Sequence, residues 1–93
     1  MMAPWMVPCP VRYMQDSVDL YVQHGILTSR FLRALFSNDL KGAFKYADDH
    51  NAAAMHKWAW FMANDMPSCA HGSPEKVATW IAERQTAVVE GAA

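Results

Sequence analysis

Apolar side chains return every three or four residues through most of this 93-residue chain and nowhere alternate, so the spacing predicts helices and no strands. From Val11 to His24, Val11, Met14, Val18, Tyr21 and Val22 fall on one side of a helix while Arg12, Asp16, Asp19 and Gln23 gather on the other. Gly25 follows as the left-handed residue that ends this helix, with Ile26 and Leu27 tucking back against its last turn. Thr28 or Ser29 caps a short second helix, whose Phe31, Leu32, Leu35 and Phe36 make a wide apolar face. Ser37, Asn38 and Asp39 form another capping cluster, and the Asp39 carboxylate suits the positive end of a third helix with Leu40, Ala43, Phe44 and Ala47 as its stripe.

A break is expected after Ala47, because Asp48, Asp49 and Asn51 favour caps over helix interiors. A fourth helix then runs to about Asn64. Met55, Trp58, Ala59 and Met62 share one face of it, and at about 100° per residue Trp60 and His56 fall roughly opposite. This helix is therefore either central in the bundle or presents one side as a contact surface. Pro67 stops it, and a last helix runs from Pro74 to about Ala87 with Val77, Trp80, Ile81 and Val88 inward. Arg84 lies in the same stripe, where its aliphatic stem can cover apolar surface. Residues 1–10, broken by Pro4, Pro8 and Pro10, read as an extended arm anchored by Trp5 and Met6, and residues 89–93 as a tail that frays. The expected fold is all-α: a compact bundle of about five short helices, one domain over residues 11–88, with an extended N-terminal arm.

Hydrophobic residues make up 53% of the chain, with four Trp, four Phe, three Tyr and seven Met. A domain of this length removes only about 60–65% of its unfolded surface from water. Part of that apolar surplus has no interior to enter, which favours a partner-binding patch or a homo-oligomer. Eight Lys and Arg against nine Asp and Glu give a net charge of −1, so no global field draws the chain to nucleic acid or an anionic membrane. Arg30, Arg33, Lys41, Lys45 and Lys57 nonetheless cluster mid-chain as a modest basic patch, whereas Asp16, Asp19, Glu75, Glu83 and Glu90 lie toward the ends. No apolar run reaches the length of about 18 residues that a membrane span needs. The N-terminus lacks signal-peptide features, and two cysteines without a close pair fit reduced thiols, so the expected location is cytoplasmic.

The stretch "PSCAHGSPEKVATWI" at residues 67–81 is the one place that raises a chemical question. Structural zinc takes four ligands as closely spaced pairs, and only Cys69 and His71 are local, with Cys9, His24, His50 and His56 scattered. Ser73, Pro74 and Glu75 instead spell a helix start, entered through Gly72. A nucleophilic thiol needs a positioned base, which two loop residues do not define, so Cys69 is expected to be an ordinary buried thiol. No catalytic residue, metal or cofactor is expected, and the chain reads as a non-enzyme. His24 suits its helix C-terminus, His50 is expected in solvent and His56 beside Trp60. Trp58 belongs to the core stripe. Trp60 does not, so it is either covered by the arm or a contact residue of the kind tryptophan favours. The second and third helices also suggest a helix-turn-helix, but the third offers only Lys41, Lys45 and Tyr46 on its polar face.

The segments "YVQHG" at 21–25, "FLRALFSNDL" at 31–40, Ala47-Asp48 with Asn51, Pro67 and "GSPEKVATWI" at 72–81 resemble a family of small helical proteins encoded by bacteriophages and prophages. The similarity covers about residues 11–82, and its shared positions are caps, helix ends and stripe residues. The family frequently carries Trp before the Gly-Ser-Pro-Glu run, where this chain has His71. The resemblance implies a phage accessory protein made in the host cytoplasm, of the class that binds a host protein or defence complex, as anti-CRISPR inhibitors do. Independently of the resemblance, the aromatic surplus, the two-sided fourth helix and the absence of catalytic motifs make Trp60, His56, Arg30 and Arg33 the expected partner-binding residues. The alternatives are a nucleic-acid-binding regulator using Arg30, Arg33, Lys41, Lys45 and Lys57, and an oligomeric virion or assembly component.

Overall fold

Six α-helices form among the described residues: α1 (Gln15–His24), α2 (Arg30–Phe36), α3 (Leu40–Tyr46), α4 (Asp49–Ala53), α5 (Met55–Asn64) and α6 (Pro74–Ala92). Single 3-10 turns at Arg12–Met14 and Ser68–Ala70 precede α1 and α6. The computed structural model describes the backbone of residues 8–92 and the side chains of residues 8–86. The anchoring role expected of Trp5 and Met6 and the core position expected of Val88 lie outside those residues.

Helix starts are set by side chains three residues from the donor they satisfy. Ser29 Oγ accepts from the Leu32 N–H at 3.2 Å, Asp39 Oδ1 from Gly42 at 3.0 Å, Asp48 Oδ1 from Asn51 at 2.8 Å and Ser73 Oγ from Lys76 at 3.1 Å. Each such cap contributes about 1 kcal/mol. The Ser73-Pro74-Glu75 run is thus a helix start, as its spacing predicts. Helix ends follow the same local logic. Gly25 ends α1 with φ 67° and donates to the Tyr21 carbonyl at 2.9 Å, while Asn38, at φ 64°, ends α2.

Several expectations are corrected. The segment read as a break holds the short helix α4, because Asp48 caps it, which brings the helices among the described residues to six. The first helix opens as a 3-10 turn rather than at Val11. Its entry is tied down by the Gln15 side chain, which accepts the Cys9 N–H at 2.8 Å. The last helix runs past Ala87 to Ala92. Of the expected α3 stripe only Ala43 is buried, with Leu40 66% and Phe44 50% exposed. The reason is packing through small residues: a β-carbon on Gly42 would lie 3.1 Å from that of Ala34, and so close an approach leaves the larger neighbours at the flanks. Ile26 is exposed and Leu27 alone packs on the core. Cys69, expected as a buried thiol, is exposed, and Cys9 is the buried one.

Trp58, Tyr21, Phe36, Leu32 and Val18 are the largest fully buried side chains, each worth about 2 kcal/mol or more of transfer free energy. Tyr21 stacks on Phe36 at 5.0 Å, and Trp58 meets the edges of Phe31 and Phe61 at 5.6 and 5.9 Å. Helix α6 closes the core by packing on α1, on α2 and on the Ser68–Ala70 turn. Trp80 Nε1 donates to the Tyr21 carbonyl at 3.1 Å, the Tyr21 hydroxyl donates to the Ala70 carbonyl, and the Gly72 N–H donates to the Phe36 carbonyl at 2.8 Å. The loop between α5 and α6 is therefore fastened to α1 through Ala70 and to α2 through Gly72. The fold is all-α and compact, with a radius of gyration of 12.9 Å against about 12 Å for a folded chain of this length. Among the described residues no helix is long and apolar enough to cross a membrane.

Candidate functional site

Helix α5 turns its two tryptophans in opposite directions. Trp58 is fully buried and its indole N–H donates to Asn51 Oδ1 at 3.1 Å, whereas Trp60 is 67% exposed. Two positions along a helix rotate a side chain by about 200°, so a core residue at 58 forces its neighbour at 60 outward. Trp60 lines a groove of about 270 Å³ with His56, Lys57 and Asp65 from its own helix, Phe61 at the base and Pro8 and Pro10 from the chain entering the bundle. Apolar rings with a charged rim are the composition of a protein-contact surface. His56 and Trp60, one turn apart on α5, both line this groove.

Arg30 and Arg33 lie elsewhere. They line a second groove, of about 430 Å³, with Ser37, Asp39, Tyr46 and Pro74, and the two grooves have no residue in common. The expected contact set is thus split between two surfaces. The mid-chain basic residues are divided as well: Lys57 sits with Trp60, Lys45 reaches over the ring of Tyr46 beside Arg30, and Lys41 is exposed on α3.

Cys69 is exposed in a groove with Trp80, Glu75, Lys76, Thr79 and Glu83, while His71 points back into the protein. Its Nε2 is buried without a hydrogen-bond partner, and burial lowers its pKa; the Met62 backbone carbonyl opposes that shift and the Lys76 charge adds to it. Among the described residues no group of three or more His, Cys, Asp and Glu is placed to hold a metal ion. His50, expected in solvent, is exposed and meets the edge of the Tyr13 ring at 6.2 Å. The Tyr13 hydroxyl donates to Asp48, a bond that pushes Tyr13 up to about 12 and holds Asp48 below the usual carboxylate range.

Residue spacing had not revealed three features. Tyr46 joins Arg30 and Lys45 because α3 folds back along α2. Leu40 borders an apolar groove with Met55, Ala59 and Met62, left open by the small-residue contact beneath α3. Asn51 is 3% exposed because it serves the buried indole of Trp58. Comparison with protein families, curated proteins and solved structures finds no match to this chain.

Proposed function

We propose that this chain is a small phage accessory protein that acts without catalysis, by binding a host protein or complex, and that Trp60 is the centre of the contact. The observation that carries this is the exposure of Trp60 in a groove with His56, beside a tryptophan that is fully buried two residues earlier. A large aromatic left in water binds a partner with little loss of conformational freedom, which is why tryptophan is enriched among binding hot spots. The resemblance of the helix caps and stripes to those of phage-encoded proteins supports a host target, with counter-defence inhibition of the anti-CRISPR kind as the more particular role.

A photo-reactive amino acid at His56 tests the contact. One dominant adduct from infected host cells is expected, lost when Trp60→Ala is added while the helical circular dichroism stays unchanged. Adducts that persist in that variant remove Trp60 from the role. An adduct of twice the chain's own mass identifies a homo-oligomer instead. The counter-defence role predicts that expressing the chain restores plaque formation on a host carrying an active defence system, and unchanged plaque numbers on such hosts remove it.

A further inference from the structure

Helix α3 returns antiparallel to α2, with residue 42 against residue 34 and residue 46 against residue 30. Arg30 and Arg33, one turn apart on α2, stay exposed because Phe31, Leu32, Ala34 and Leu35 take the buried sides. The Arg30 guanidinium lies 5.8 Å and the Lys45 ammonium 5.5 Å from the centroid of the Tyr46 ring. A ring at that range holds cations in place without neutralising them. Neither arginine nor Lys45 has an ion-pair partner among the described residues. Asp39 is the one carboxylate lining the groove, and its Oδ1 is engaged by the Gly42 N–H at the start of α3. Pro74, the first residue of α6, also lines the groove. In a chain of net charge −1, this arrangement sets two guanidinium groups and an ammonium against a single carboxylate, a local excess of positive charge.

We infer that the groove between Arg30, Arg33 and Tyr46, with Lys45 at its edge, binds a carboxylate-rich segment of a partner protein. Guanidinium groups take carboxylates through paired parallel hydrogen bonds, and the hydroxyls of Ser37 and Tyr46 add donors within the same groove. The arrangement suits a peptide better than a nucleic-acid strand. A strand requires aromatic faces open for base stacking along a continuous cationic track. Here the Tyr46 ring is already approached by two of the protein's own cations, and Lys57 lies in the other groove. Because no residue lines both grooves, variants of this one leave the Trp60 surface intact.

The test is fluorescence anisotropy on the full chain with three labelled probes: a peptide of about ten residues alternating Glu with Ala, its Gln counterpart, and an oligothymidylate of similar charge. The Glu peptide is expected to bind best, to weaken as salt rises, and to lose roughly tenfold or more in affinity to Arg30→Gln with Arg33→Gln but not to Lys57→Gln. Amide chemical-shift mapping on the unaltered protein removes any dependence on how the variants fold. Shifts are expected at residues 30, 33, 45 and 46 and not at 56–60. Equal binding of the Gln peptide, tighter binding of the oligothymidylate, an unaffected double variant, shifts centred on α5, or no binding at low salt would each overturn the assignment.

Discussion

No room exists for a methyl group between Gly25 and Arg84: a β-carbon on residue 25 would lie 2.8 Å from the β-carbon of Arg84 and 3.0 Å from the Ile81 carbonyl oxygen. This is where the end of α1 meets α6, and the Gln85 amide donates to the Gly25 carbonyl across the same contact at 3.4 Å. Arg84 is held there by stacking on Trp80, its guanidinium carbon 4.0 Å from the ring centroid. Gly25→Ala therefore adds a left-handed dihedral cost of roughly 1–2 kcal/mol to an overpacking cost of about 1–3 kcal/mol. Thermal unfolding should show Tm falling by about 10 °C or more. Gly25→Asn, which tolerates the dihedral but not the contact, should recover only part of that loss. A Gly25→Ala variant as stable as the parent would refute the close approach.

Asn51 and Trp58 form a buried polar pair whose partners are seven residues apart. Asn51→Ala strands the indole N–H and should cost about 1–3 kcal/mol in urea unfolding. Trp58→Phe removes the donor, so the double variant should lose less than the sum of the singles. A strictly additive cycle would mean that the hydrogen bond contributes nothing.

The two tryptophans of α5 should respond in opposite ways. Trp58→Ala opens a void against Phe31 and Phe61 and should cost about 3–5 kcal/mol. Trp60→Ala should change unfolding free energy by less than about 0.5 kcal/mol, as exposed positions do. Equal destabilisation by both would show that Trp60 is covered in the folded chain.

His71 sets a pH dependence whose sign follows from its lowered pKa. The folded state favours the neutral ring, so stability from this group is complete above the unfolded value of 6.5 and is lost as pH falls below it, where the unfolded chain binds the extra proton. His71→Gln should flatten the stability profile between about pH 7 and about pH 5. Asp48 acts in a lower window: its depressed pKa makes stability fall only as pH drops below its ordinary value of 3.8. A parent and variant with parallel profiles from neutral to mildly acid pH would exclude His71 as the source.

The two thiols should separate kinetically. Cys69 is exposed and Cys9 is buried, its thiol donating to the Val11 carbonyl at 3.1 Å and its pKa raised by burial. A thiol-specific chromogenic disulfide should titrate one group in the native protein and the second only on unfolding. Immediate reaction of both would place Cys9 at the surface.

Caps and terminators were legible in the residue order because they act over three or four positions: Ser29, Asp39 and Ser73 bond where their spacing predicts, and Gly25 takes the left-handed turn expected of it. The stripe of α6 was legible too, with Val77 and Trp80 buried and Arg84 covering the ring beside it. Asp48 takes the capping role its type predicts, whereas Asn51, grouped with it as a cap former, turns inward to an indole, and the identity of a hydrogen-bond partner seven residues away is not encoded in local preference.

Periodicity alone established that this chain is helical and where most of its helices start and stop, since those depend on backbone groups within one turn. Which apolar face is covered depends on how closely two helices approach. Ala34 and Gly42 let α3 sit so near α2 that Leu40 and Phe44 remain in water, and the same antiparallel return sets Tyr46 against Arg30. The separation of Trp60 and His56 from Arg30 and Arg33 into two grooves follows likewise from packing between helices distant in the chain, a property that no single helix carries.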